Sequence, residues 1–237
     1  MRPKIIAGKI YHVLNRGVDK RPIFLEDKDY LRFIHDLYEF NDQNPINNGF
    51  YHFQTQYNVV GLRYIGANTT TNRRPRKFLV EILAFCLMKN HYHLMVIPKT
   101  DRALALFMKR LNQGYTRYFN EKNERSGVLF QGKYKAVEVN REAHFIHLPY
   151  YIHCNPLDYS APNWRKREIK DYKKVFASLT NWRWSSFPDY IGQKNFPSVT
   201  QRDFLLKFFD GPEEYKKSMI AWLKDMDFDA IADIALE

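Results

Sequence analysis

The sequence has few cysteines and no long apolar run, so it lacks the features of disulfide-rich and membrane-spanning proteins. Its 237 residues include only two cysteines, Cys86 and Cys154, which does not support a disulfide framework and indicates a reducing compartment. No stretch reaches the roughly 18 uninterrupted apolar residues of a transmembrane helix. Residues 1–17 lack the apolar block of a signal peptide. These absences predict a cytoplasmic protein with no membrane association.

Acidic residues are also scarce relative to basic ones. The chain has 26 Asp and Glu against 37 Lys and Arg, which gives a formal net charge of +11. A protein this basic usually binds a polyanion, most often nucleic acid. An anionic membrane surface is the alternative, but no basic helix with a broad apolar face supports it. Hydrophobic residues make up 45% of the chain, which is enough for a packed core and excludes global disorder.

Strand-like and helix-like patterns alternate along the chain. The predicted strands cover 10–15, a hairpin at 79–98, and 128–139 with a bend at Gly132; the predicted helices cover 27–40, 101–123 and 141–155. This order predicts an α+β fold, with a ferredoxin-like antiparallel sheet, helices on one face, and a C-terminal helical extension. Asp27 is the expected N-cap of the first helix, and Thr100 or Asp101 that of the second. Pro149 is expected to kink or divide the third.

The chain is expected to form one domain over residues 1–160 and an extension over 161–237. The extension contains two predicted helices, at 201–209 and 212–226. Residues 42–77 are rich in Asn, contain a basic cluster, and are predicted to be an inserted loop. That loop is either a binding arm or a solvated excursion with no role.

Two histidines stand on the second strand of the predicted hairpin. The strand begins after the Lys89-Asn90 turn, and residues two apart in a strand point to the same face, so His91 and His93 project side by side. Such a pair either holds a divalent metal or consists of ordinary surface or core histidines. No CxxC spacing supports structural zinc. Two histidines completed by an oxygen ligand suit Mg²⁺ or Mn²⁺ acting on a phosphate.

A tyrosine and an asparagine share one face of the predicted helix at 141–155. Tyr151 and Asn155 are four residues apart, so the phenol and the amide lie one above the other. A tyrosine attacks a phosphodiester when a cation stabilises the phosphate, and an amide carbonyl oxygen is a suitable metal ligand beside it. The chain has 16 tyrosines, most of which must be structural. Tyr115 and Tyr118 follow the apolar pattern of their helix and are predicted to be core.

Basic residues concentrate between these two motifs. Residues 102–141 contain nine Lys or Arg and three Glu, a net charge of +6. Interleaved with aromatic residues, they could follow a phosphate backbone and stack unpaired bases, or simply form a solvated helix face. The side chains predicted to contact nucleic acid are Arg16, Lys89, Lys109, Arg110, Arg117, Lys133 and Lys135.

Four short passages carry a resemblance to one protein family. They are YHVLNRG at 11–17, LMKNHYHL at 87–94, GVLFQGKYK at 127–135 and YIHCNP at 151–156, followed by WRWSSFPDYIG at 182–192. In content, order and spacing they resemble the single-tyrosine HUH transposases of the insertion-sequence-200 type, and among these the REP-associated tyrosine transposases. The resemblance spans about residues 10–192.

The resemblance implies a ferredoxin-like catalytic domain at 1–160 with the histidine pair on a central strand. It implies that His91, His93 and Asn155 bind Mg²⁺ or Mn²⁺. It also implies that Tyr151 attacks the scissile phosphate of single-stranded DNA. In this family the product is a 5′-phosphotyrosine link and a free 3′-hydroxyl, and the link is resolved by another 3′-hydroxyl. The implied partner is single-stranded or hairpin DNA, bound by a monomer or homodimer.

Other functions share the same basic surface. A domesticated descendant would bind hairpin DNA without cutting it, and an RNA-binding protein would need neither the histidine pair nor Tyr151. Replication initiators and relaxases also use paired histidines, but they carry further domains for which this chain has little room. The histidine pair together with Tyr151 and Asn155 favours a DNA-nicking and strand-transfer enzyme.

Overall fold

The protein is described by a computed structural model that covers residues 4–44, 76–225 and 231–235. In chain order the elements are β1 (Tyr11–Arg16), α1 (Asp27–Glu39), β2 (Val80–Met88), β3 (His91–Pro98), α2 (Ala103–Lys122), β4 (Lys135–Glu138), α3 (Glu142–Cys154), α4 (Leu157–Ser160), α5 (Tyr172–Asn181), α6 (Phe187–Tyr190), α7 (Asp203–Phe208) and α8 (Pro212–Asp225). Apart from its two ends, the predicted insertion at 42–77 lies outside the described residues.

The strands form one antiparallel sheet in the order β2-β3-β1-β4. With α1 between β1 and β2, and α2 between β3 and β4, this is the predicted ferredoxin-like arrangement. β1 and β3 are the central strands, and Leu14 of β1 lies opposite His93 of β3. The histidine pair therefore stands in the middle of the sheet.

Each face of the sheet is covered by a different set of helices. α1 and α2 pack together on one face, where Tyr92 and Leu94 of β3 point. α3 lies across β2 and β3 on the other face, with Met95 and the helices that follow. Helices on one face are thus confirmed for α1 and α2, and the C-terminal helices cover the opposite face. Because those helices share a hydrophobic cluster with α3, the proposed division at residue 160 stays a prediction.

The N-termini of two helices differ from the expectation. Glu26, not Asp27, caps α1, in a reciprocal capping box with Asp29. α2 begins after Arg102, because the carboxylate of Asp101 instead accepts a hydrogen bond from the backbone of Ala7 at 2.8 Å. In both cases neighbouring polar side chains compete for the same role, and local sequence does not rank them.

α3 is a single helix despite Pro149 in its interior. Of the two expected effects of Pro149, division of the helix was wrong, and a kink stays a prediction. Proline removes one helical hydrogen bond, but Leu148 and Pro149 are buried, and packing of α3 on the sheet offsets that loss. The tyrosine helix is therefore held firmly against the histidine strand.

The predicted strand at 128–139 is much shorter in the structure. Only Lys135–Glu138 forms β4, while Phe130 makes a single bridge with Gly17. Gly132 has φ +70°, a left-handed conformation that ends extended pairing and produces the predicted bend. The segment before β4 consequently follows the end of β1 as an irregular loop.

Two predicted absences concern membrane spans and disulfides. Cys86 and Cys154 are both buried and free, so they form no disulfide. Within the described ranges, no helix has both the length and the apolar character needed to cross a membrane.

Gly17 follows β1 at a close backbone approach. A Cβ atom there would lie 2.3 Å from the Arg21 carbonyl oxygen and 2.9 Å from Ile23 Cγ2. Because a backbone atom cannot move aside cheaply, we expect Gly17→Ala to lower the free energy of unfolding by about 1–3 kcal/mol. Urea denaturation measures the free energy of unfolding. The control is Lys20→Ala, a substitution at a nearby exposed residue, which should change that free energy by less than about 0.5 kcal/mol. Equal stability of the two variants would contradict the steric argument.

Candidate active site

The histidine pair lies on the sheet face that α3 covers. His91 and His93 are two residues apart on β3, and their ring centroids are 5.0 Å apart with planes at 82°. His93 is completely buried, whereas His91 at the end of the strand is partly exposed. The pair therefore runs from the rim of the site into its interior.

One nitrogen of each histidine ring is already engaged. His91 Nδ1 donates to the Asn90 Oδ1 atom at 2.6 Å, and His93 Nδ1 lies 2.9 Å from Nε2 of His12. The Nε2 atom of His93 is buried and has no hydrogen-bond partner in the described part of the chain. Buried polar atoms are rarely left unsatisfied, so this nitrogen is a candidate position for an additional ligand.

Burial keeps both histidines of the pair neutral. It lowers the pKa of His91 to about 4, with a further lowering from Arg16. It also lowers the pKa of His93 well below its usual range, and the neighbouring His91 and His12 act in the same direction. Neutral imidazole is the form that binds a metal, so at neutral pH both histidines have the protonation state that a metal ligand needs.

α3 brings Tyr151 onto the histidine pair of the same chain. The Tyr151 ring is edge-on to His93, with centroids 5.8 Å apart, and edge-on to His12 at 6.1 Å. The side chain is almost fully buried. The tyrosine and the histidines thus belong to one constellation within a single chain.

Asn155 closes the end of α3 and is linked to an arginine. Its Nδ2 donates to the Tyr151 carbonyl oxygen at 2.8 Å, and its Oδ1 accepts from Arg165 Nη2 at 3.2 Å. Arg165 also forms an ion pair with Asp158 and lies over the ring of Trp164, 4.4 Å from its centroid. The oxygen expected to bind a metal is therefore bonded to a guanidinium group in this structure.

The side chains expected to bind a metal at this site offer a mixed set of nitrogen and oxygen donors. Nowhere in the described ranges do three or more His, Cys, Asp or Glu side chains form a metal-binding group. A site here would consist of two imidazole nitrogens and the amide oxygen of Asn155, a mixed nitrogen and oxygen set that leaves positions open for phosphate. The unsatisfied Nε2 of His93 agrees with such a ligand role.

The basic residues predicted to bind nucleic acid are divided among three regions. Arg16 lies opposite His91 in the sheet, and Lys89 is exposed in the adjacent turn, with Nζ 5.4 Å from the centre of the Tyr159 ring. Both are at the rim of the site. Lys133 and Lys135 are exposed at and before β4.

The remaining three predicted basic residues are on α2, across the sheet from Tyr151. Lys109 is exposed, Arg110 donates to the Asp42 carbonyl oxygen at 2.7 Å, and Arg117 pairs with Glu121 at 2.7 Å. Arg117 also lines an open groove of about 510 Å³ between α2 and residues 127–132. The structure thus separates these residues from the histidine pair.

Two side chains at the site were not singled out from the sequence. His12 lies within the passage at 11–17, and the only signal for it is a polar residue in an apolar strand. Its position beside His93 depends on the pairing of β1 with β3. Arg165 lies in an irregular basic segment that has no pattern to distinguish it from its neighbours.

The sequence around this site is similar to that of a known protein family. Residues 67–155, which include the histidine pair and the tyrosine helix, match the model of a family described as "Transposase IS200 like". One similar solved structure is that of a REP-associated tyrosine transposase bound to a REP hairpin, with 14% identity and a TM-score of 0.47, covering 84% of this chain and 88% of that chain. No curated protein matches the chain. The family match agrees with the motifs that lie inside it: over residues 67–155 the chain is similar to IS200-like transposases.

Proposed function

We propose that this protein is a metal-dependent transposase that nicks single-stranded DNA at or near hairpins and transfers the strand. The observation that carries the proposal is the packing of Tyr151 against His93, whose Nε2 is buried and unsatisfied. The sequence match to IS200-like transposases over residues 67–155 supports the same conclusion. A tyrosine is a weak nucleophile until a base or a metal activates it, and in this proposal the neutral imidazole pair would hold that metal beside Tyr151.

The proposed chemistry assigns one role to each side chain. Nε2 of His91, Nε2 of His93 and Oδ1 of Asn155 would hold Mg²⁺ or Mn²⁺. When bound there, the ion would draw charge from a phosphate oxygen and favour attack at phosphorus. The Tyr151 oxygen forms a bond to phosphorus and gives up its proton, while the bond from phosphorus to the 3′ oxygen breaks and that oxygen takes up a proton. Attack on the phosphotyrosine by another 3′-hydroxyl reverses these steps and joins the strands.

Arg165 has two functions in this proposal. It bonds to Asn155 before metal binding and is then positioned to contact the phosphate. We expect Arg165→Ala to bind Mn²⁺ about 5–10-fold more tightly without DNA, because a nearby positive charge and a competitor for Asn155 are removed. Strand cleavage should fall, because the phosphate loses a cation. Calorimetry measures the Mn²⁺ affinity, with the exposed Arg167→Ala as control. Weaker Mn²⁺ binding in Arg165→Ala would instead mean that Arg165 supports the metal site.

DNA binding should depend strongly on salt. A protein that contacts about six phosphates loses on the order of 10³-fold in affinity between 50 and 200 mM salt. We expect Lys89→Ala to reduce the slope of log affinity against log salt by about 0.9, because one phosphate contact is lost. Fluorescence anisotropy with a labelled hairpin measures it, and the exposed α7 variant Lys207→Ala should keep the wild-type slope. Identical slopes for both variants would place Lys89 outside the DNA path.

The proposal is tested by trapping the covalent intermediate. Purified protein is mixed with Mn²⁺ and 5′- or 3′-labelled single strands that carry a hairpin and randomised flanks, then separated under denaturing conditions. We expect a protein adduct with the DNA 3′ of the nick and a released strand with a 3′-hydroxyl. Hairpin binding with no adduct across the whole library would favour the domesticated DNA-binding protein. Preference for RNA over DNA of the same sequence would favour the RNA-binding alternative.

A further inference from the structure

A chain of buried polar contacts connects the C-terminal part of the protein to the histidine pair. The carbonyl oxygen of Ile234 lies 2.5 Å from Nδ1 of His12, and Nε2 of His12 lies 2.9 Å from Nδ1 of His93. The two histidine rings are stacked, with centroids 5.1 Å apart and planes at 19°. All three residues are completely buried.

The directions of these hydrogen bonds follow from what each atom can do. A carbonyl oxygen only accepts, so the hydrogen of the first contact is on Nδ1 of His12. A buried imidazole is neutral and carries a single N–H, so Nε2 of His12 is an acceptor. The hydrogen of the second contact is therefore on Nδ1 of His93. Its Nε2 then carries the lone pair.

The opposite tautomer of His93 is unfavourable in this environment. It would place an N–H on Nε2, where the described part of the chain offers no acceptor, and it would set two acceptors against each other between the rings. A buried unsatisfied donor costs about 1–3 kcal/mol. Without His12 and the Ile234 carbonyl, nothing in the described structure would select the tautomer that can bind a metal.

The C-terminal segment that supplies this carbonyl is anchored to α3. Ile231 and Ile234 are fully buried in the same hydrophobic cluster as Tyr151. Between them, Asp233 has one carboxylate oxygen 3.0 Å from His144 Nε2 and the other 3.5 Å from Arg141 Nη2, both at the beginning of α3. The segment thus contacts the tyrosine helix and, through His12, strand β1 beside the histidine pair.

We propose that His12 and the backbone carbonyl of Ile234 are positioning groups that hold His93 in the tautomer with its Nε2 lone pair directed into the active site. The C-terminal segment at 231–235 is thereby a component of the active site and not only a cover for the core. The identity of the ion that Nε2 binds rests on the proposed function, whereas the tautomer does not. Second-shell partners of this kind fix ring orientation and raise ligand basicity.

The tautomer is measured directly by NMR on the full-length, metal-free protein. Long-range ¹H–¹⁵N correlation spectra of histidine-labelled protein distinguish the two protonated nitrogens, and the His93→Gln spectrum assigns the resonance. We expect His93 to carry its proton on Nδ1 in the wild type and in His12→Gln, whose side-chain oxygen can still accept. In His12→Leu we expect the proton to shift to Nε2 or to exchange between the two nitrogens. A wild-type Nε2–H tautomer, or an unchanged tautomer in His12→Leu, would overturn the proposal.

Metal affinity gives a second, independent readout. We expect His12→Leu to bind Mn²⁺ about 10–100-fold more weakly than wild type, with partial recovery in His12→Gln. Ile234→Ala, which loosens the C-terminal segment, should also weaken Mn²⁺ binding. Met219→Ala removes a fully buried side chain of the same cluster that takes no part in the hydrogen bonds of His12, and its Mn²⁺ affinity should be unchanged. Equal affinities in Ile234→Ala and Met219→Ala would remove the C-terminal segment from the proposal.

These measurements separate failure of this inference from failure of the proposed function. If His93 has its proton on Nδ1 but the protein binds no Mn²⁺, the positioning role of His12 is supported and the metal mechanism is contradicted. If the protein binds Mn²⁺ and cuts DNA while His93 has its proton on Nε2, the metal mechanism is supported and the positioning role is contradicted. Circular dichroism melting confirms that each variant is folded before either comparison is made.

Discussion

Tyr151→Phe is expected to abolish covalent attachment of the protein to DNA, reducing cleavage by about 10⁴-fold or more, as loss of a nucleophile does in other enzymes. The substitution removes only the hydroxyl oxygen that is proposed to attack phosphorus. The phenyl ring keeps its edge-on contacts with His12 and His93, so the packing of α3 is preserved. Hairpin binding, measured by anisotropy in parallel with the adduct assay, should therefore remain at the wild-type level.

Tyr150→Phe is the matched control for this experiment. Tyr150 is the adjacent residue on α3 and is also buried, but it packs against Phe209, Tyr215 and Trp222, away from the histidine pair. It should retain adduct formation. Labelled DNA attached equally well to Tyr151→Phe would show that another residue is the nucleophile, and loss of adduct in both variants would indicate a general requirement for α3 packing.

Loss of either histidine of the pair is the second prediction with a large effect. We expect His91→Ala and His93→Gln each to reduce cleavage by about 10³-fold or more, because each removes a proposed metal ligand, and the ion would then no longer stabilise the charge on the phosphate. Chelation of the wild-type protein should have the same effect. Added Mn²⁺ should restore the chelated wild type but neither variant. A denaturing gel of labelled single-stranded hairpin substrate measures cleavage by the two variants and by the chelated wild type.

The control for the histidine variants is His35→Gln. His35 is on α1, on the opposite side of the sheet from Tyr151, so its substitution should leave cleavage and Mn²⁺ binding near wild type. Undiminished cleavage by the wild type in chelator would remove the metal from the mechanism. Cleavage that survives His91→Ala but not chelation would assign the ion to other residues.

Short-range sequence patterns predict much of the fold. Two apolar runs around Lys89-Asn90 form the hairpin, and helical spacing marks α1, α2 and α3, because these patterns reflect which side of a local element is buried. The shared helix face of Tyr151 and Asn155 and the shared strand face of His91 and His93 follow from the same local geometry. These side-chain relations are correct in the structure.

Other predictions failed where local signals compete. Glu26 and Asp27 are both plausible caps, and the choice depends on the hydrogen bonds that Asp29 makes. Pro149 breaks isolated helices, but burial against β2 and β3 keeps α3 continuous. The strand at 128–139 has suitable composition, yet Gly132 and the pairing with β1 restrict it to four residues.

The sequence alone predicted the histidine pair and the tyrosine four residues from an asparagine, because these depend on spacings of two to four residues. It predicted the α+β fold from the order of the elements, and the basic character from composition. Only the tertiary structure showed that the histidine pair and Tyr151 meet within one chain, while the basic residues of α2 lie across the sheet from them. It also placed His12, Arg165 and the carbonyl of Ile234 around the histidine pair. Those positions depend on strand register and on packing between segments far apart in the chain, and no local pattern encodes them.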